Sequence, residues 1–256
     1  MTTPTILLYH QITSRVDPDD PFCLSVTPEN FAAQMSFLAE NGYTCVSLTE
    51  AVKLRQNGRN PRKTFAITFD DGYLDNFEVA FPIMQQHGFT ATIFTITDFV
   101  GRTVQWPHQQ EVPFMTWDQM QTMTNEGFSF GAHTQSHPNL HEISLADAEY
   151  EICMSKQILE QHLERPIEFL AYPGGHQNQV VQELTQSAGF TAGMGVDIGP
   201  DSPYNIWRVQ INGTDSLTLF RLKLSGYFER LKQFRQSSKV AHAITQTAGS
   251  VLNRLR

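Results

Sequence analysis

The stretch TFAITFDDGY, Thr64 to Tyr73, combines two patterns that seldom meet. Phe65, Ala66, Ile67 and Phe69 suit a buried strand, and β-branched and aromatic residues favour one. Two carboxylates then stand side by side, Asp70 and Asp71, and the chain turns at once on Gly72. Taken alone, Asp-Asp-Gly reads as a surface turn. At the end of an apolar strand it reads as a pair of acids held at the rim of a core.

Working outward, the same alternation recurs. TILLYH (from Thr5) is a strand. Thr27-Pro28 caps and opens a helix with apolar face Phe31, Met35 and Leu38, stopped by Gly42. The segment after Asp75 has helical spacing, and Thr90–Ile96 is a strand. Thr116 caps a helix through Glu126, FSFGAH is a strand, and Ser144 with Asp147 caps a long helix to about Leu163. EFLAYP is a strand, Gln179–Ala188 a helix, and GFTAGMGV and IWRVQI are late strands. Strands alternating with helices of this length predict an α/β fold with a parallel sheet or barrel. Such folds place chemistry at the C-terminal ends of their strands. The residues found there are His10, Asp70-Asp71, His133 and Tyr172-Pro173-Gly174.

The segment GAHTQSHPNL carries His133 and His137, an i, i+4 pair that can share one metal if the segment is helical or tightly turned. With one carboxylate added, the set of two His and one Asp suits Zn²⁺ or another divalent first-row ion (Co²⁺, Ni²⁺, Mn²⁺ or Fe²⁺), with a position left for water. The adjacent acids then acquire separate roles. One ligates the ion; the other accepts a proton from the water. Either motif alone has an ordinary structural explanation, but both at strand ends point to a metal site.

Bulk properties narrow the classes. The 256 residues carry a net charge of −8, which argues against a nucleic-acid binder. Residues 221–256 are the exception, with 8 Lys and Arg against one acid, Glu229. Cys23, Cys45 and Cys153 are scattered and odd in number, so three reduced thiols are expected rather than a zinc ribbon or a disulfide framework. No apolar run reaches the ~18 residues of a membrane span. No basic segment precedes Ile6–Tyr9, so the expected location is the cytoplasm.

The combination TFDDG (Thr68–Gly72), HTQSH (His133–His137) and, more loosely, FLAYPGG (Phe169–Gly175) resembles the polysaccharide deacetylases with a NodB homology domain, carbohydrate esterase family 4. The resemblance implies a distorted (β/α) barrel of seven parallel strands and hydrolysis of acetyl groups on a sugar. It implies Asp70 as catalytic base and Asp71, His133 and His137 as metal ligands. Two departures stand out. Ala171 occupies the place of the Arg that orients the base in the family's third motif, and Gly174 follows Pro173 where an aromatic is usual. The C-terminal motif that supplies the general acid has no match. LLYHQI instead resembles the permuted exopolysaccharide (poly-N-acetylglucosamine) deacetylase subgroup, in which the acid His lies on the first strand. His10 fits that role, and Arg208 in IWRVQI is placed to replace the missing Arg.

These assignments imply a metal-dependent N-deacetylase acting on an acetylated polysaccharide or its oligosaccharide precursor. The backbone N–H of Gly174 would hold the oxyanion and His10 would protonate the leaving amine. Tyr172 and Pro173 are expected to meet the sugar, and Trp106, in a long Pro-containing loop, to stack on it or to cover the core. The competing readings are a small-molecule amide hydrolase or deformylase on the same barrel, and a non-catalytic carbohydrate-binding relative. The division expected is a barrel over 1–220 and a basic, amphipathic helical extension over 221–256. Its second helix would lie on an anionic membrane surface at the inner face, or merely pack on the barrel.

Overall fold

The structure, a computed structural model, describes residues 4–14, 22–59, 61–105, 111–196 and 202–225. Trp106 and the second basic helix expected after residue 236 lie outside the described residues.

Strand β1 (Thr5–Tyr9) is followed by a small parallel pair, β2 (Gln11–Ile12) and β3 (Ser25–Val26), and by helix α1 (Pro28–Glu40). Next come β4 (Thr44–Cys45), α2 (Leu48–Gln56) and β5 (Thr64–Phe69). A π-helical turn over Asn76–Ala80 runs into α3 (Phe81–Gln85), and β6 (Thr92–Thr95) follows. An antiparallel pair, β7 (Thr103–Gln105) and β8 (Glu111–Pro113), precedes α4 (Trp117–Asn125), β9 (Ser129–Ala132), α5 (Leu145–Leu163) and β10 (Phe169–Ala171). The described chain ends with α6 (Gln179–Ser187), β11 (Ala192–Gly195), β12 (Ile206–Trp207), β13 (Val209–Gln210) and α7 (Leu217–Leu224).

The main sheet has the order β12-β11-β10-β9-β6-β5-β1-β13, with β4 added beside β5, and every pairing in it is parallel. Its two terminal strands, β12 and β13, are consecutive pieces of IWRVQI separated only by Arg208. That segment pairs with β11 through Ile206 and Trp207 and with β1 through Val209 and Gln210. Taken as one strand it is the seventh, and it brings the two sides of the sheet together into a nearly closed barrel. Arg208 sits at the seam.

Alternation decides what each strand face does. Leu7, Tyr9, Phe65, Ile67 and Phe69 pack under Phe31, Met35 and Leu38 of α1. The opposite face, Ile6, Ala66, Phe94, Met194 and Ile206, forms a second cluster with Leu48, Ala51 and Val52 of α2. Continuing that face by steps of two leads from Ala66 through Thr68 to Asp70, and from Ile206 to Arg208. All six residues of β5 are buried, as expected for a strand covered on both sides.

The helix signals act as their chemistry dictates. Thr27, Ser144, Asn178 and Ser216 each accept a backbone N–H at a helix start, and Thr116 with Gln119 forms a full capping box. Such caps each contribute about 1 kcal/mol. The boundary expected at residue 220 falls inside α7, which is part of the barrel: Phe220 and Leu224 are buried in the main core. Lys223 is not on a solvated basic face. It is buried, donates to Gln210 O at 2.8 Å and pairs with Asp215. Among the described residues no helix is long and apolar enough to cross a membrane.

Candidate active site

The strand ends converge. Asp70 N–H donates to Tyr9 O at 3.0 Å and Tyr9 pairs with Phe69, so His10 and Asp70 leave neighbouring strands at one level. His133 N–H donates to Thr95 O, which fixes the end of β9 against β6. The turn after β5 needs two successive left-handed residues, Asp71 (φ 72°) and Gly72 (φ 83°). At Gly72 the left-handed φ favours glycine, and a Cβ there would lie a tight 3.1 Å from Thr95 Oγ1, so the Thr95 side chain would have to give way. The histidine pair is not on a helix. HTQSH is a tight turn in which Thr134 (φ 63°) and His137 (φ 66°) are left-handed. A β-branched residue in that region is strained. Thr134 Oγ1 accepts from His137 N–H at 3.0 Å, which closes the turn.

The result is a triangle of donors. His133 Nε2 lies 3.3 Å and His137 Nε2 3.5 Å from Asp71 Oδ1, and the three atoms all lie within 4.8 Å of one another. His133 Nδ1 is 2.8 Å from Ala171 O, so Nδ1 carries the proton and Nε2 presents its lone pair to the triangle. Burial, then the neighbouring His133, pushes the His137 imidazole down to about 4, which keeps it neutral. Burial alone would depress His133, but Asp70 and Asp71 outweigh it and raise the imidazole. Two neutralisable imidazole nitrogens facing a carboxylate in a negative surrounding fit a divalent cation of the first-row kind.

The second acid has a different partner. Arg208, fully buried, donates from Nη1 to Asp70 Oδ1 at 2.6 Å and from Nη2 to Asp70 Oδ2 at 2.7 Å. It also reaches Thr68 Oγ1 at 3.3 Å and lies over the Phe94 ring at 5.3 Å. Burial opposes ionisation of Asp70, but the guanidinium, then His133, outweighs it and holds the carboxyl below the usual range. His10 is half-buried at the end of β1. Burial lowers its imidazole, and the charges of Asp71, Asp70, Arg208 and His133 all act on it, which puts it at the same site. Gly174 is exposed in the short 3-10 turn after β10, with φ 62°.

The two side chains expected to meet the sugar, Tyr172 and Pro173, are both buried. The Tyr172 side chain points into the protein. It is fully buried, its hydroxyl donates to Tyr204 O at 2.9 Å, and only glycine at 193 leaves it room, since a Cβ there would lie 2.1 Å from the hydroxyl. Pro173 is buried as well. Neither side chain offers a surface to a ligand. Two supports went unread in the sequence. Glu151 of α5 accepts from the N–H groups of Gln135 and Ser136, both at 2.8 Å, and from the Ser136 hydroxyl at 2.6 Å, so it grips the histidine turn. Asp75 and Asn76 meet the backbone that follows β1. Glu151 is legible only as one charge among many on a helix, and Asp75-Asn76 only as a turn.

Residues 57–193 match the family model for polysaccharide deacetylase, more than half of the chain. The chain belongs to the polysaccharide deacetylase family. The matched region holds Asp70, Asp71, His133, His137 and Gly174 of this deacetylase; His10 and Arg208 lie outside it. Among similar proteins is YxkH of Bacillus subtilis (strain 168), provisionally named a polysaccharide deacetylase, 29% identical over 232 residues covering 89% of this chain and 76% of the relative. The poly-beta-1,6-N-acetyl-D-glucosamine N-deacetylase of Staphylococcus epidermidis is 25% identical over 213 residues, 77% of this chain and 71% of that one. Among solved structures, Streptococcus pyogenes deacetylase PplD in complex with acetate superposes with a TM-score of 0.76 at 25% identity, covering 87% of this chain and 98% of the other. The NodB-type barrel of the deacetylase is thus shared with enzymes of known structure.

Proposed function

We propose that this deacetylase removes N-acetyl groups from N-acetylhexosamine residues of a polysaccharide, or of its oligosaccharide precursor, by metal-dependent hydrolysis. The observation that carries the reading is the division of labour between adjacent acids. Asp71 faces two imidazoles, while Asp70 is held by both arms of Arg208. The similarity to a poly-beta-1,6-N-acetyl-D-glucosamine N-deacetylase supports the substrate class.

Asp71, His133 and His137 would hold the divalent ion, zinc first among Co²⁺, Ni²⁺, Mn²⁺ and Fe²⁺, and the ion would polarise the acetyl carbonyl and acidify the attacking water. Asp70 takes that water's proton. Its pairing with Arg208 keeps it ionised, and each oxygen retains a further lone pair to accept with. The Gly174 N–H lies in the first turn of a 3-10 segment, where N–H groups lack a partner within the turn, and it is the candidate donor to the oxyanion. As the C–N bond breaks, His10 gives its proton to the nitrogen, because an unprotonated amine leaves very poorly. Water oxygen ends on the acetyl carbon and the products are acetate and a free sugar amine.

Acetate and amine release from β-1,6-linked N-acetylglucosamine oligomers tests the proposal. Equimolar acetate and amine that vanish on chelation support it. Turnover of small formamides or cyclic amides with none of any acetylated sugar would overturn it.

A further inference from the structure

Most histidines that move protons are oriented through the ring nitrogen that does not react. His10 is not. Its Nδ1 is buried and has no hydrogen-bond partner among the described residues. The ring's position must therefore come from its backbone and its packing, and the backbone here is held in an unusual way. Asn76, fully buried, directs its side-chain amide at the His10 carbonyl, with Nδ2 2.8 Å from His10 O. The other Nδ2 hydrogen goes to Asp75 Oδ1 at 2.9 Å. The Asp75 carboxylate also accepts the backbone N–H of Ile12. Two consecutive residues thus grip the chain on both sides of Gln11, directly after the proton donor.

The orientation of the amide is decided by these partners. Turned over, Asn76 would set its oxygen against the His10 carbonyl, which cannot donate and repels it. In the orientation adopted, Asn76 Oδ1 is left buried without a partner. An unsatisfied buried acceptor is destabilising. A side chain that tolerates that cost is retained for its two donors. The backbone supports the same conclusion. Asn76 opens the π-helical turn over Asn76–Ala80, a distortion that recurs at functional sites, and its N–H is tied to Tyr73 O at 3.1 Å. The segment Tyr73–Asn76 is continuous with the Asp70-Asp71-Gly72 turn, so the grip joins the segment that carries the base to the one that carries the acid.

We propose that Asn76, braced by Asp75, is the positioning residue for His10: its amide fixes the His10 carbonyl and thereby sets the imidazole against the scissile nitrogen. This rests on the reading of His10 as proton donor. Asn76 touches no reacting atom; it acts through the backbone of another residue.

The test compares an N-acetylglucosamine oligomer with an activated acetate ester, whose leaving group needs little protonation. Wild type, His10→Ala, Asn76→Ala, the isosteric Asn76→Asp and the His10→Ala/Asn76→Ala double variant are assayed on both, with bound metal and melting temperature recorded. The expected result is a roughly 10- to 100-fold fall in amide kcat/KM for both Asn76 variants, the range a misplaced catalytic group costs. The ester should change less than about threefold, metal content should hold, and Asn76→Ala should add nothing in the His10→Ala background. A selective loss in His10→Ala with independent, multiplicative losses for Asn76→Ala would overturn the positioning role alone. Equal losses on both substrates in His10→Ala itself would remove the proton-donor reading, and the positioning role with it.

Discussion

Arg208 and Asp70 stand 138 residues apart and meet through two parallel hydrogen bonds of 2.6 and 2.7 Å in a fully buried setting. The contact exists because the strand carrying Arg208 closes the barrel between β11 and β1. One residue therefore stitches the seam and sets the state of the proposed base.

Removing one partner of a buried ion pair costs about 3–5 kcal/mol, because the other charge is left uncompensated. Arg208→Met is expected to lose that much stability in urea unfolding and nearly all deacetylation. Adding Asp70→Asn removes the orphan charge, so Asp70→Asn/Arg208→Met should be more stable than Arg208→Met. A double variant less stable than the single would show that the pair does not account for the loss.

Glu151 grips the turn between His133 and His137 with three hydrogen bonds. Groups that orient metal ligands contribute about 10- to 100-fold to affinity. Glu151→Ala should weaken Zn²⁺ binding by about 10-fold in a chelator competition, and Glu151→Gln by less, since its amide oxygen still accepts. Wild-type affinity in Glu151→Ala would confine Glu151 to general stability.

Burial pushes the Asp75 carboxyl up to about 7, against the hydrogen bonds from Ile12 and Asn76. The sign follows from proton counting. An unfolded Asp titrates near ~4, so between about pH 4 and 7 the folded chain binds the extra proton and the contribution of Asp75 to stability falls as pH rises. Asp75→Asn should flatten that part of the stability–pH curve measured by urea unfolding. A curve unchanged in slope would mean the carboxyl titrates normally.

Gly174 adopts φ 62°, and a Cβ there would lie 2.8 Å from His176 Cδ2. A left-handed non-glycine residue costs about 1–2 kcal/mol. His176 is exposed and can turn away, so the backbone strain dominates. Gly174→Ala should cut kcat/KM more than about 10-fold with little change in metal content, and His176→Ala should not rescue it. Rescue would identify crowding, not the backbone donor, as the cause.

Much of the fold was legible because its signals are local. Caps at Thr27, Thr116 and Ser144 and the stops at Gly42 and Gly127 set the helices, and a run such as TFAITF can only be a buried strand in an alternating chain. The donor triangle was legible because Asp71 and His133 follow strand ends and His137 lies four residues beyond His133 in the same turn. What stayed hidden depends on direction and on long-range pairing. Tyr172 lies at a strand end like the others, yet points inward because Gly193 opens a space for it. Lys223 looks like one more charge in a basic run until Asp215 is found beside it. Asn76 and Glu151 act on backbone atoms of distant segments, and no spacing in the sequence reports such a bond.

The central claim is that adjacent acids hold different posts, Asp71 on the metal and Asp70 on the proton. Metal content after dialysis, measured alongside acetate release for Asp70→Asn and Asp71→Asn, tests it most directly. The account predicts that Asp70→Asn keeps about one divalent ion per chain and releases no acetate, whereas Asp71→Asn loses both. An empty site in Asp70→Asn, or a fully loaded one in Asp71→Asn, would contradict it.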